Sequence, residues 1–218
     1  MQRKCMLHNY HKLRKDNLLL IFTRNPELGK CKTRLAAVIG DESALEIYKF
    51  LLARTAEITK DLKADKAVFY SKTVVDQDLW DSRDYYKKQH EGQDLGERML
   101  KAFKWGFEQG YQKILIIGSD LYDLSSKDLD EAFETLDNNS FVVGPASDGV
   151  YYLLGMKKLK KELFQNKPWG KESVLEDTLY DLQDETVHLL EVRNDVDRYE
   201  DIKDIDVFQK FLKKTYDQ

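Results

Sequence analysis

Cysteine is scarce in this chain, and its scarcity excludes two classes of protein. Only Cys5 and Cys31 occur among the 218 residues. Two cysteines are too few for the disulfide framework of a small secreted domain, and their spacing forms no C-x-x-C zinc motif. Because this composition suits a reducing compartment, the sequence predicts a cytoplasmic protein.

Long apolar runs and an excess of positive charge are also missing. No segment approaches the roughly 20 apolar residues of a membrane-spanning helix, and the run Leu18–Phe22 is too short for a signal-peptide core. The net charge is −4, whereas nucleic-acid-binding domains usually carry a basic face. We therefore expect no membrane span and no nucleic-acid partner. Where cations do gather locally, a small anion is the expected partner.

What the chain does contain is an alternation of strand and helix patterns. Short apolar runs predict strands at Leu18–Thr23, Ala67–Ser71, Lys113–Gly118, Phe141–Pro145, Val150–Gly155 and Val187–Val192. Apolar residues at helical spacing predict helices after Asp41 or Ser43, after Asp94, after Ser125 or Ser126, over Glu172–Leu182, and from Glu200 onward. Asp94 and Glu97 resemble a capping box, and the helix that they open is expected to bury Leu95, Met99 and Phe103.

This order predicts an α/β fold with a mostly parallel central sheet between helix layers. The close pair of strands around Ser147–Gly149 predicts an antiparallel insertion. No internal repeat, low-complexity tract or linker interrupts the pattern. We expect a single domain over residues 18–218, preceded by an extension at residues 1–17.

Four cations follow the first predicted strand in the stretch IFTRNPELGKCKTRL. It is not a Walker A loop, because Arg24 and Cys31 stand where glycine and Ser or Thr are required, and one glycine cannot form G-x-G-x-x-G. Ligands of open α/β sheets bind beyond the carboxyl ends of strands. The loop is therefore a candidate phosphate site, although an ordinary solvated basic loop is the alternative. The candidate residues are Arg24, Gly29, Lys30, Lys32 and Arg34.

Carboxylates follow two other predicted strands. KILIIGSD delivers Ser119 and Asp120 to a strand end, where a buried carboxylate needs a partner. A divalent cation between Asp120 and a diphosphate would be such a partner, because Mg²⁺ often uses one or two protein carboxylates plus phosphate oxygens. A turn or helix cap is the alternative, and Asp123 suits that role better. After the last strand, either Asp195 or Asp197 is positioned to complete the metal site.

Two further motifs carry polar or aromatic side chains at loops. Asp148 and Gly149 lie between two strands and are followed by Tyr151, but Asp-Gly is also a common hairpin turn. Trp169 in KPWG would stack on a sugar ring if exposed, whereas core packing is the commoner fate of tryptophan.

Together these motifs resemble one known family. IFTRNPELGKCKTRLA, QDLGERML, IGSDLYDL, VVGPASDGVYYLLGM and DVDRYEDI occur in the order seen in the DUF2064 proteins, also labelled selenodomain-associated or arsenosugar-biosynthesis glycosyltransferases. The resemblance covers the chain from Leu18 to its C-terminal helix. It implies the nucleotide-diphospho-sugar transferase fold, known as GT-A, in which nucleotidyltransferases also occur.

The resemblance also implies roles for individual residues. Lys32 and Arg34 match a phosphate-binding basic pair, Gly29 a loop glycine, and Asp120 the carboxylate that holds a metal–diphosphate. Asp197 matches a second metal-binding aspartate. Three residues match the loop that faces the sugar or acceptor: Asp148, Gly149 and Tyr151. Asp94 and Ser119 are assigned to the nucleotide site, Asp148 to acid–base catalysis beside Asp120, and Trp169 to the acceptor.

The chain departs from the family pattern at four positions. Leu121 and Tyr122 replace Cys and Pro, Val150 replaces a second glycine, and Arg198 replaces threonine. The carboxylates survive, so metal binding is retained in the prediction. Val150 narrows a loop where a backbone would approach a ligand, and this puts the choice of substrate in question.

The predicted function is that of a glycosyltransferase that uses a nucleotide-diphosphate sugar, a small-molecule acceptor and Mg²⁺ or Mn²⁺. One alternative is a nucleotidyltransferase that joins a nucleoside triphosphate to a phosphorylated or acidic acceptor and releases pyrophosphate. A second alternative is a non-catalytic nucleotide-binding module, which would bind without turnover.

Overall fold

The computed structural model describes residues 16–212, which form seven strands, six α-helices and two short 3-10 helices. The strands are β1 (Asn17–Thr23), β2 (Asp65–Tyr70), β3 (Tyr85–Gln89), β4 (Lys113–Ile117), β5 (Phe141–Pro145), β6 (Tyr151–Met156) and β7 (Val187–Leu189). The α-helices are α1 (Thr33–Ile39), α2 (Asp41–Lys60), α3 (Leu95–Glu108), α4 (Ser126–Asn138), α5 (Val174–Asp181) and α6 (Asp206–Leu212). Most of the predicted extension at residues 1–17, and the end of the predicted domain after 212, lie outside the described residues.

All seven strands join one sheet in the order β3-β2-β1-β4-β6-β5-β7. Neighbouring strands are parallel except at β6, which runs antiparallel to both β4 and β5. The prediction of a mostly parallel sheet with an antiparallel insertion is therefore confirmed. Because β6 starts where β5 ends, the turn between them lies at the edge where the parallel strands also end.

Strand β1 lies in the middle of the sheet and is covered on both faces. Its residues Leu18, Leu19, Leu20 and Ile21 are fully buried, as its uninterrupted apolar sequence predicts. Alternate side chains enter two separate clusters: Leu19 and Ile21 pack with α2 and α4, and Leu18 and Leu20 pack with α3. The two clusters anchor β1 rigidly, so the loop that follows Thr23 starts from a fixed point.

The helix caps follow the prediction in part. The Asp94 carboxylate accepts a hydrogen bond from N of Glu97 at 2.8 Å, and Ser125 forms a full capping box at the start of α4. Glu97, however, accepts from N of Gln93, so the box at α3 is not closed. The prediction that Leu95 is buried is wrong: Leu95 is 39% exposed, because the inward face of α3 starts at the neighbouring glycine.

The sequence reasoning missed one strand and misplaced the C-terminal helix. Strand β3 has the sequence YYKKQ and lies at the edge of the sheet, where one flank needs no partner and polar residues replace the apolar run. Asp41 is the first residue of α2, whose N-cap is Gly40. The chain after Glu200 forms a 3-10 turn at Tyr199–Asp201 before α6 begins at Asp206. Strand β7 ends at Leu189, three residues before the predicted end.

The segment after β7 crosses the carboxyl edge of the sheet. N of Arg193 donates to the carbonyl O of Pro145 at 3.1 Å, and N of Val196 donates to the carbonyl O of Asp120 at 3.1 Å. These two bonds tie the segment first to the end of β5 and then to the end of β4. As a result, the loops after β1, β4, β5 and β7 meet at one edge.

Candidate functional site

The central feature of this edge is an ion pair between Lys32 and Asp120. Nζ of Lys32 lies 2.9 Å from Oδ2 of Asp120, and the Lys32 side chain is 6% exposed. Burial by itself lowers the pKa of Lys32, but the charge of Asp120, with those of Asp195 and Asp197, outweighs it and raises the pKa above its ordinary value. Lys32 is therefore a permanent cation facing a group of carboxylates.

The backbone makes room for both members of this ion pair. Lys32 precedes α1 in the left-handed conformation, with φ 50° and ψ 47°, which costs a non-glycine residue about 1 kcal/mol. An added Cβ at Gly118 would lie 2.7 Å from Oδ1 of Asp120, so the glycine leaves room for the carboxylate. Backbone strain of this kind persists where surrounding structure enforces it and is concentrated at functional sites.

A second ion pair lies beside the first and is more exposed. Nη1 of Arg34 lies 2.9 Å from Oδ2 of Asp197, and the Arg34 side chain is 63% exposed. The Asp201 carboxylate accepts hydrogen bonds from N of Asp197 and N of Arg198, at 2.9 and 2.6 Å. Asp201 thus fixes the backbone that presents Asp197. Asp201 was predicted to lie in the acidic first turn of a helix, but its carboxylate instead organises this turn.

A further carboxylate, Asp195, lies within the same electrostatic field. Burial is the largest of the causes that raise its pKa to about 6. The charges of three neighbouring carboxylates add to this effect, Asp120 most strongly and then Asp148 and Asp197, whereas the ammonium of Lys32 opposes it. The sequence alone did not separate Asp195 from Asp197. The structure couples Asp195 to Asp120 and leaves Asp197 paired with an arginine.

The Tyr48 hydroxyl holds the loop after β1 in place. It accepts a hydrogen bond from N of Arg24 at 2.8 Å and donates to the carbonyl O of Arg24 at 3.1 Å. It also lies 3.3 Å from Oγ1 of Thr23 and 3.4 Å from Oγ of Ser119. Ser119 is buried in this network, one residue before Asp120. Sequence reasoning treated Tyr48 only as a core residue, because a helix position that packs and one that also bonds a loop have the same spacing.

The remaining cations of the loop face solvent. Arg24 and Lys30 are exposed, on either side of a turn in which N of Lys30 donates to the carbonyl O of Glu27 at 3.1 Å. Gly29 has a φ of 68°, so a residue with a side chain would be strained there. The loop therefore presents two exposed cations close in sequence to two that are paired with carboxylates.

The hairpin tip between β5 and β6 is held against α5. Gly149 has a φ of 84°, and an added Cβ would lie 2.2 Å from the carbonyl O of Glu172. The carbonyl O of Gly149 accepts from N of Leu175 at 2.9 Å. Asp148 is exposed, and its Oδ1 accepts from N of Val150 at 3.0 Å. The Asp-Gly pair does form a turn, and the same turn presents the Asp148 carboxylate near Asp195.

Two predicted contact residues have clear structural roles. The Asp94 carboxylate is used as the cap of α3, and its assignment to the nucleotide site stays a prediction. Trp169 is partly buried and lies against the start of α3, where an added Cβ at Gly96 would lie 2.6 Å from Nε1 of Trp169 and 2.4 Å from the carbonyl O of Phe164. Trp169 therefore combines core packing with partial exposure.

The donor atoms at this edge are compatible with a hard divalent cation. They are carboxylate oxygens, the ligand type that Mg²⁺ and Mn²⁺ prefer. Within residues 16–212, no group of three or more His, Cys, Asp or Glu side chains is arranged to hold a metal ion. The residues fit a metal that takes Asp120, with Asp195 or Asp197, and completes its coordination with phosphate oxygens and water. Among the helices of the same residues, none combines the length and apolar composition needed to cross a bilayer.

Comparison with solved structures supports the fold. A protein from Desulfovibrio desulfuricans G20, named as a candidate nucleotide-diphospho-sugar transferase, superimposes with a TM-score of 0.82 and 27% identity, covering 93% of this chain and 96% of that chain. A cytidylyltransferase from Leptospira borgpetersenii has a TM-score of 0.56 and 16% identity, covering 86% and 84%. The 4-diphosphocytidyl-2C-methyl-D-erythritol synthase from Anaerococcus prevotii has a TM-score of 0.56 and 14% identity, covering 90% and 99%.

Comparison of the sequence itself identifies the family. No curated protein matches the chain. The model of the family described as "Uncharacterized protein conserved in bacteria (DUF2064)" matches residues 54–171, which is more than half of the sequence. The matched range includes α3, β4 and the β5–β6 hairpin, and hence Asp120 and Asp148. The chain therefore belongs to the DUF2064 family and has the fold of the nucleotide-diphospho-sugar transferases.

Proposed function

We propose that this protein is a transferase that uses a nucleotide-diphosphate sugar as donor and depends on Mg²⁺ or Mn²⁺. The observation that carries the proposal is the pairing of Lys32 with Asp120 and of Arg34 with Asp197 at the carboxyl edge. The name of the Desulfovibrio desulfuricans protein, at 27% identity over nearly the whole chain, supports the same class of donor.

The two ion pairs suit an exchange of partners. A metal–diphosphate carries positive charge on its metal and negative charge on its phosphates. On binding, Asp120 would exchange Lys32 for the metal, and Lys32 would exchange Asp120 for phosphate oxygens. Arg34 would likewise exchange Asp197 for phosphate, which its planar guanidinium binds with two hydrogen bonds. The balance of charge at the edge is then kept, so binding leaves no buried charge unpaired.

In the proposed reaction, an acceptor oxygen forms a bond to the anomeric carbon of the sugar. The bond from that carbon to the diphosphate breaks, and the diphosphate leaves with the electron pair. Lys32 and Arg34 would bind the leaving phosphates, and the contribution of the metal, held by Asp120 with Asp197 or Asp195, is to neutralise their charge. Asp148 at the hairpin tip is the group that we assign to receive the proton of the acceptor.

Nucleotidyl transfer is the second candidate, and the exposed cations Arg24 and Lys30 favour it. Beside Lys32 and Arg34 they bring the loop to four cations, which suits a triphosphate better than a diphosphate. The two reactions differ in their products. Release of a nucleoside diphosphate indicates sugar transfer, and release of pyrophosphate indicates nucleotidyl transfer.

Thermal unfolding with nucleotides, sugar nucleotides and either metal tests the site. A ligand at 100 times its dissociation constant adds about 2.7 kcal/mol to the free energy of unfolding. We expect metal-dependent stabilisation of the wild type and none of Asp120→Asn. Asp137→Asn is the matched control, because Asp137 pairs with Lys113 at the opposite edge of the sheet.

The possible outcomes distinguish the candidate functions. Equal stabilisation of both variants would mean that Asp120 does not belong to the binding site. Metal-dependent stabilisation without release of diphosphate or pyrophosphate would favour the non-catalytic module. No stabilisation by any nucleotide would overturn the proposal.

A further inference from the structure

A cavity of about 140 Å³ lies between α3, the ends of β1 and β4, and the β5–β6 hairpin. Its lining includes Phe22, Met99, Gly118, Val150, Tyr151 and Trp169. Gly118 lies two residues before Asp120, and Val150 lies two residues after Asp148. The cavity is therefore lined by residues that flank, along the chain, both of the carboxylates to which the reaction is assigned.

The wall of the cavity is apolar and aromatic, with a tyrosine hydroxyl set into it. Among the described residues, the hydrogen-bond partner of the Tyr151 hydroxyl is Sδ of Met99 at 3.9 Å, and both side chains line the cavity. A thioether is a weak acceptor, so the hydroxyl keeps most of its donor capacity. Burial raises the pKa of Tyr151, and the hydroxyl stays protonated. The Tyr151 side chain is partly buried, and its hydroxyl would gain a stronger hydrogen bond from a ligand oxygen in the cavity.

We propose that this cavity binds a ring-sized apolar part of the acceptor, and that an oxygen of that part accepts a hydrogen bond from Tyr151. The proposal rests on the proposed function only in calling the ligand an acceptor. The size of the cavity supports a ring, since an apolar cavity of about 150 Å³ is large enough to hold benzene. The acceptor is thus a phenol, a cyclic alcohol or a similar compact ring.

The polar ligands of the proposed reaction fit this cavity poorly. A sugar ring or a nucleobase carries several donors and acceptors, and each one loses a hydrogen bond with water on entering. Phe22, Met99 and Val150 offer no strong donor or acceptor, and the indole of Trp169 offers a single N–H, so most of those bonds would not be replaced. The donor is therefore expected to lie over the cations and the carboxylates, and the cavity to take the other substrate.

Binding of small probes to the full chain, without nucleotide, tests this proposal directly. The probes are p-cresol, toluene and glucose, each titrated by ligand-observed NMR. We expect p-cresol and toluene to bind and glucose not to bind. Tyr151→Phe should weaken p-cresol about fivefold and leave toluene unchanged, because it removes one hydrogen bond and keeps the ring. Val150→Phe, which fills part of the cavity, should weaken both probes.

Tyr70→Phe is the matched control. Tyr70 lies outside the lining of the cavity, and its hydroxyl donates to Oδ2 of Asp78 at 2.6 Å. Its loss should leave p-cresol binding unchanged. Three results would each overturn the proposal. Glucose could bind as tightly as p-cresol, uridine or guanosine could displace p-cresol, or Tyr151→Phe could weaken the binding of both apolar probes equally.

The result is separable from that of the nucleotide test. If nucleotides stabilise the protein with metal and no apolar probe binds, the ring-binding inference alone is wrong. If the probes bind as expected and no nucleotide stabilises the protein, the cavity binds rings and the assignment of its ligand as an acceptor fails with the proposed function.

Discussion

At the amino-terminal edge of the sheet, Asp65 accepts a hydrogen bond from the Tyr111 hydroxyl at 2.9 Å, and Nζ of Lys66 donates to the carbonyl O of Lys60 at 2.6 Å. Each of these two contacts joins a charged group to a neutral one, and Lys113 forms an ion pair with Asp137 at the same edge. At the carboxyl edge, Asp120 and Asp195 lie in each other's field, and Lys32 opposes both. One edge thus uses charged groups to stabilise the fold, whereas the other holds like charges close together, as is expected of an edge that binds a charged ligand.

The largest expected effect is the loss of nucleotide binding in Lys32→Met. This substitution removes the buried cation that would bind the phosphates, so we expect the dissociation constant to rise about 100-fold. Lys113→Met breaks a similar lysine–aspartate pair at the amino-terminal edge and should leave affinity unchanged. Isothermal titration with the best stabilising nucleotide measures both. Equal losses in the two variants would remove the functional distinction between the edges.

An intermediate effect is expected on stability, with opposite signs at the two edges. Asp65→Ala removes the bond from Tyr111 and should lower the free energy of unfolding by about 1–2 kcal/mol. Asp195→Ala should raise it by about 1 kcal/mol at pH 7, because the ionised carboxylate is held where its pKa is raised, and solvent screening reduces the full effect. Urea unfolding of the ligand-free variants measures both. A loss of stability in Asp195→Ala would mean that Asp195 stabilises the fold as Asp65 does.

The smallest effect is a dependence on pH at His90, which follows β3 at the carboxyl edge. Its ring lies 4.2 Å from the ring of Phe22, and burial lowers the pKa of His90 to about 4. The unfolded chain binds a proton near pH 6.5 and the folded chain does not, so stability falls as the pH drops from about 6.5 to 4. After allowance for partial exposure, we expect a loss of about 1 kcal/mol.

His90→Phe should flatten the stability curve in that window. The raised pKa of Asp195 acts in the opposite direction below pH 6, because the folded chain then binds the additional proton. The double variant His90→Phe, Asp195→Asn removes this opposing group. Urea midpoints between pH 4 and 7 distinguish the cases, and parallel curves for wild type and His90→Phe would contradict the prediction.

The sequence predicted which residues would meet because of where its strands end. Apolar runs followed by charged residues selected Lys32 and Asp120. Asp197 was chosen over Asp195 only through the family resemblance. The rule that strand ends meet could not decide between these two aspartates, because the irregular segment after β7 decides which one turns inward. No sequence pattern predicts the left-handed backbone conformation of Lys32, since lysine rarely adopts it. Strand β3 was missed because an edge position imposes little apolar pattern.

The reversed direction of β6 has a consequence for how such proteins diversify. A loop between parallel strands is joined to a whole helical crossover, whereas the turn at residues 146–150 joins two adjacent antiparallel strands. These five residues can therefore be exchanged together without changing the order or direction of the strands. Gly149, which lies against Glu172, must be retained for the backbone, and Asp148 must be retained for the proposed reaction. Under the proposed function, transplanting this turn between relatives should transfer a preference for one acceptor from one protein to the other.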